Sequence, residues 1–286
     1  MSIRLSGTLR DLSRLRGLLK GSFLMGITLY GDESGTHDET GIEQGSEVAI
    51  VAGFLARSEH WEIFTEKWVS VLDEFSIPAF HMNEFVDPRG EEKTAWPYKG
   101  WSREKCDEFV MRLVRVARDY TLLGFGGAVS VRDYDEVVPE HLKKDTQHPY
   151  HFALQNLFDN VITTFADSLP LMLLPHEQVD FSFEQQDEFE KKALEMFAKV
   201  KKRDHTNRLG SIAFVPKGLF RAHEAADLIA YRMRKVITRR VSGKPAFSAG
   251  SWDEELNARH SLVVGYFERS NLEAFVAEIA ARNVIE

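Results

Sequence analysis

Asp32, Glu33 and Ser34 stand in a row at the end of an apolar run, Phe23-Leu24-Met25-Gly26-Ile27-Thr28-Leu29-Tyr30, and Gly35 follows them. The run has the composition of a buried strand. Two carboxylates at its end therefore sit where charge loses solvation, and charge held at such an edge commonly has a use. Two further acids stand in comparable settings. Glu184 closes an alternating segment in which Val179, Phe181 and Phe183 take one face and Asp180, Ser182 and Glu184 the other. Asp227 flanks the apolar stripe Ala222, Ala226, Ile229, Ala230, Met233 and Ile237 of a helix expected from about Ala222 to Arg240, with His223, Glu224 and Tyr231 within a turn.

Each acid also has a plain structural reading. Asp32 can cap a turn, Glu184 can be an ordinary strand-end acid before a helix, and Asp227 can be a solvated helix residue. Three acids beside buried elements are nevertheless costly unless something neutralises them. Carboxylates without thiols suit a hard cation, Mg²⁺ or Mn²⁺, which keeps waters and bridges to substrate phosphates. Two such ions roughly 4 Å apart can generate an attacking hydroxide and stabilise a leaving oxygen. The expected chemistry is metal-dependent phosphodiester hydrolysis with Asp32, Glu184 and Asp227 as ligands. His81, between Phe80 and Met82 and three residues before Glu84, reads either as a packed histidine or as a proton shuttle beside the metal site.

Other patterns fail. Gly31-Asp32-Glu33-Ser34-Gly35 has its serine one place too late for a nucleophile elbow. Gly124-Phe125-Gly126-Gly127 lacks the spacing of a dinucleotide fingerprint and reads as a bulge or a close-packing site. His223-Glu224-Ala225-Ala226-Asp227 has aspartate where a zincin needs its second histidine.

Positioning these groups needs alternating strands and helices. Beyond the first strand come an expected antiparallel partner, Val48 to Leu55, and helices from Ser58 to Phe75 and from a Ser102 cap to about Arg118. Next are a glycine-rich strand, Leu122 to Val131, a buried helix through Phe152 and Phe165, and a strand to Glu184. A charged helix, Gln186 to Lys202, a strand, Ser211 to Val215, the Asp227 helix and a last amphipathic helix through Leu272 and Ile279 complete the chain. The pattern is that of an α/β fold.

The 286 residues, 43% of them hydrophobic, suffice for one large core or two modest ones. No apolar run is long enough to span a bilayer, and the single Cys106 points to a reducing interior such as a cytoplasm. A net charge of −8 argues against a protein that coats nucleic acid nonspecifically, but local basic surface can still meet phosphates. Arg232, Arg234, Lys235, Arg239 and Arg240 follow Asp227 on the same helix and are the expected nucleic-acid contacts. Lys199, Lys201, Lys202 and Arg203 close another helix, where capping accounts for them equally well. Residues 1–22 read as a basic amphipathic arm, as sequence ahead of a true start at Met25, or as a targeting peptide.

Tyr30-Gly31-Asp32-Glu33-Ser34-Gly35, Phe80-His81-Met82, the strand ending at Glu184 and Ala225-Ala226-Asp227-Leu228-Ile229-Ala230-Tyr231 together resemble the bacterial domain-of-unknown-function 3800 family. The resemblance spans about Ile27 to Arg240. It implies a ribonuclease H-like fold, a central mixed β-sheet flanked by helices, with metal-binding acids at Asp32, Glu184 and Asp227 and Glu33 as a fourth. His223-Glu224 stands where that family often has glutamine, and glutamate rather than aspartate stands at 184, departures that bear on the strength of a metal site. The implied organisation is an arm (1–22), a ribonuclease H-like domain (23–245) and a C-terminal helical extension (246–286). The expected function is a Mg²⁺- or Mn²⁺-dependent nuclease acting on RNA or DNA. The alternative is a noncatalytic scaffold of the same fold, or a partner protein, in a phage-defence or mobile-element system. A homo-oligomer or a protein partner is left open.

Overall fold

The computed structural model describes residues 26–34, 47–85, 97–146, 148–168, 177–185, 190–241, 243 and 262–283. The basic arm and the turn between the first two strands lie outside them.

Strand β1 (Ile27–Ser34) pairs antiparallel with β2 (Val48–Arg57), and β2 pairs antiparallel with β3 (Leu123–Ser130). On the other side β1 pairs parallel with β4 (Val179–Glu184), and β4 pairs parallel with β5 (Leu209–Val215). With β6 (Leu262–Phe267) parallel to β3, the mixed sheet has the order β5-β4-β1-β2-β3-β6. Helices flank it, so the α/β expectation holds. The segment 246–286, expected to be a helical extension, instead adds an edge strand before its helix. Leu262-Val263-Val264-Gly265-Tyr266-Phe267 is β-branched and aromatic enough to have signalled this.

Alternation along β1 separates two layers. Tyr30 belongs to an apolar cluster with helices α1 (Ser58–Glu74), α3 (Arg103–Tyr120) and α8 (Arg221–Val241). Ile27 and Leu29 belong to the opposite cluster, with α6 (Pro149–Thr163) and α7 (Glu190–Arg203). Between them in the chain lie the short α2 (Met82–Phe85), α4 (Val131–Val137) and α5 (Glu140–Thr146), and α9 (Arg269–Asn283) ends the described fold. The first cluster is strongly aromatic: Trp61, Phe64, Trp68, Phe80 and Phe109 are buried, and burial of such side chains contributes about 1.5–3 kcal/mol each.

Local chemistry fixes the element ends. The Ser102 hydroxyl accepts from Lys105 N–H, the expected cap of α3. Ser58 bonds Gly26 O through its hydroxyl at 3.0 Å and Trp61 Nε1 donates to Thr28 O at 3.0 Å, tying α1 to the start of β1. The β4 alternation has an outcome different from a half-solvated strand. Its polar face is buried too, because Asp180 accepts from Ser211 N–H and Oγ of β5 and α8 covers Ser182.

The β2–β3 register runs without interruption, so the glycine run of β3 is a packing site and not a bulge. A Cβ at Gly127 would lie 2.0 Å from Ala153 O and 2.6 Å from Leu157 N of α6. Backbone cannot yield as a flexible side chain does. Gly127→Ala is expected to cost at least about 2 kcal/mol in chemical denaturation. A loss below about 0.5 kcal/mol would contradict this close approach of α6.

Candidate acidic site

β1 and β4 run parallel, and their last registered pair is Gly31 with Phe183. Asp32 and Glu184 are therefore the next residues on neighbouring strands, whose spacing is about 4.8 Å. Strand alternation turns both toward the α8 face. On the opposite face Gly31 leaves room for the Phe183 ring, which a Cβ there would meet at 2.3 Å. α8 brings the third acid: Ala222, Ala225, Ala226 and Ala230 are buried and let the helix sit close on β1 and β2. Asp32, Glu33, Glu184 and Asp227 are each half-buried.

Burial and neighbouring carboxylate charge act together on three of the four. Asp32 is pushed well above its ordinary range by burial first, then by the charges of Glu33, Asp227 and Glu184. Burial raises Glu33 to about 7; a hydrogen bond with the Asp32 carboxyl opposes this, while Glu184 and Asp227 add to the rise. Asp227 is raised by burial, with opposition from the Met82 N–H and the charges of His81 and Lys217, and a further rise from Glu184. Glu33 lies on the other side of the β1 alternation, toward α6, and with Asp32 it adds to the burial that raises the Tyr150 phenol. Tyr150 gave no signal in the sequence beyond a helix N-terminus.

Two acids one turn apart on α8 grip alternate amides of a single segment. Glu224 accepts from Phe80 N–H at 3.1 Å, and Asp227 accepts from Met82 N–H at 2.8 Å. Glu224 also accepts from Trp68 Nε1 at 2.7 Å and pairs with Arg221. The half-buried His81 is thereby held between two fixed amides, near enough for its charge to act on Asp227. On the opposite side Gly218 N–H donates to Glu184 Oε1 at 2.8 Å. Buried His223 meets Ser182 Oγ and the Ser182 carbonyl, each at 3.2 Å, and burial lowers it to about 4, so its ring is neutral. The His223-Glu224 pair is thus a docking device for α8.

The donor chemistry, carboxylates without a thiol, is that of a hard-cation site. Among the described residues, however, no group of three or more His, Cys, Asp or Glu side chains has an arrangement that could hold a metal ion. Part of the carboxylate hydrogen-bonding capacity is used within the protein: Asp227 and Glu184 each take a backbone amide.

The five basic residues divide by helical angle. Arg234 and Lys235 follow Asp227 by seven and eight residues, which puts them within about 80° of it on α8. Both lie over the Tyr231 ring, at 5.5 and 5.4 Å from its centre. Arg232, Arg239 and Arg240 are turned further around the helix, and burial lowers Arg232 to about 10.

These shifts predict a pH dependence. Carboxyls raised on folding contribute stability that is full below their ordinary range and lost as pH rises through the folded values, for Glu33 between 4.5 and about 7. His223 acts oppositely, losing stability as pH falls from 6.5 toward about 4. With a chelator present, the melting temperature is expected to fall between about pH 5 and about pH 8, and Asp32→Asn is expected to flatten that slope. The variant is expected to melt at least about 2 °C above the parent at the alkaline end. An unchanged slope in Asp32→Asn would show that the four acids do not repel one another.

No protein-family model matches the chain, and no curated protein matches it in sequence. The resemblance to the domain-of-unknown-function 3800 family thus rests on its motifs, while the structure itself shows an α/β fold with a mixed central sheet and flanking helices. No helix among the described residues is long and apolar enough to cross a membrane.

Proposed function

We propose that the strand-end acids form the active centre of a Mg²⁺- or Mn²⁺-dependent nuclease on a ribonuclease H-like scaffold. The observation that carries this reading is the gathering of acids from β1, β4 and α8 at one sheet edge, where burial and neighbouring carboxylate charge raise Asp32, Glu33 and Asp227. Strongly perturbed, clustered acids are expected where function requires them. Asp32, Glu184 and Asp227, with Glu33 beside them, would hold the cation, which would supply activation of water and of the phosphate. The chain's own part is positioning. Met82 N–H fixes Asp227, Gly218 N–H fixes Glu184, and His81, whose charge acts on Asp227, would take or give a proton there. Arg234 and Lys235 extend basic surface away from the acids along the same face of α8, where a strand of RNA or DNA could run.

A second reading, a noncatalytic scaffold or partner protein in a phage-defence or mobile-element system, has its own support. The backbone amides give Asp227 and Glu184 structural work, and the arrangement of ligand atoms among the described residues fits this reading more closely. What keeps hydrolysis as the proposal is the electrostatic cost of the cluster, which a scaffold role leaves unexplained. The test is cleavage of labelled single- and double-stranded RNA and DNA with Mg²⁺ or Mn²⁺. Activity is expected to vanish with a chelator and to fall at least about 100-fold in Asp32→Asn and in Asp227→Asn. Activity surviving both substitutions would overturn the assignment. No cleavage, together with no change in melting temperature on adding either cation, would establish the scaffold reading.

A further inference from the structure

The turn Pro216-Lys217-Gly218-Leu219 joins β5 to α8 and faces the acids. Leu219 N–H donates to Pro216 O at 3.2 Å, and Gly218 has φ +75°, the conformation that a type II turn requires at its third position. The same glycine's N–H holds Glu184 at 2.8 Å, so the turn is fastened to the site through its backbone. Lys217, the preceding residue, is exposed, and its charge acts on Asp227. The neighbouring cation, Arg221, is engaged by Glu224. A phosphodiester approaching four acids needs positive charge that is both nearby and open to solvent. Lysine supplies such a point charge on a flexible stem.

We propose that Lys217, carried at the edge of the acids by the Pro216–Leu219 turn, is the phosphate-binding residue of the acidic site, its ammonium reaching a nonbridging oxygen of a nucleic-acid phosphodiester. The inference rests on the reading of this edge as a nucleic-acid site. If Lys217 only balanced the charge of Asp227, its removal would alter stability but not the salt dependence of binding.

The test is fluorescence anisotropy with labelled single-stranded DNA and RNA oligonucleotides over a salt series. Ca²⁺, an oxygen-seeking cation, is present to neutralise the acids. The proteins are the parent, Lys217→Ala and Lys217→Arg, and cleavage with Mn²⁺ is measured in parallel for the parent and Asp32→Asn. Lys217→Ala is expected to bind at least about 5-fold more weakly, with a salt slope shallower by about 0.7, one phosphate contact, and Lys217→Arg is expected to restore both. Equal affinity and slope in Lys217→Ala would overturn the inference, as would a parent that binds neither oligonucleotide. If the parent binds through Lys217 but does not cleave, the phosphate contact stands and the hydrolytic reading fails. If the parent cleaves, Asp32→Asn does not, and Lys217→Ala binds normally, the hydrolytic reading stands and the Lys217 contact fails.

Discussion

Close docking of α8 on the sheet is the constraint from which the rest of this edge follows. Four buried alanines remove the side-chain volume that would keep the helix away from β1 and β2. The approach brings two carboxylates into protein, and each is offset by backbone N–H groups of the 80–82 segment. The buried Glu224 is the more demanding of the two. It is satisfied by Trp68, Phe80 and Arg221 together, and removing any of these partners would leave a buried acid short of compensation.

That docking links regions far apart in the chain. Trp68 lies in the aromatic layer of α1, so packing of that layer sets where Glu224 can sit, and Glu224 sets where Phe80 and therefore His81 lie. On β4, Ser182 meets His223 one helical turn before Asp227, while Glu184 two residues on is held by the Gly218 turn. Fold stability and site geometry therefore share the same hydrogen bonds. The acidic edge is preorganised jointly by the core, through Trp68 and α8, and by two connecting segments, 80–82 and the Gly218 turn.

The cost of the arrangement is concentrated at one place. Most buried polar groups here have conventional partners, such as Asp180 with Ser211 and Asn156 with Gly265 O. At the acidic edge, by contrast, Asp32, Glu33 and Asp227 are raised by burial and by neighbouring carboxylate charge. A bound proton would relieve part of that cost; a cation would relieve more. The two readings of function differ in which of these neutralising charges the protein uses.

Much of this was legible in the chain. Alternation marked β4, apolar periodicity marked α1, α3, α6 and α8, and acids beside buried runs singled out Asp32, Glu184 and Asp227, because patterning and desolvation are local properties of a sequence. The composition of Leu262 to Phe267 suits a strand, but its place beside β3 is set by long-range pairing, and both faces of β4 proved to be covered, since burial depends on what packs from elsewhere. The work of Glu224, the contribution of Tyr150 and the position of Lys217 belong to tertiary structure alone. Hydrogen bonds between residues about 150 positions apart have no spacing in the sequence. Sequence determined which residues could carry charge at the edges of buried elements. The fold decided which of those charges meet, because strand register and helix docking, not distance along the chain, set the separation on which electrostatic energy depends.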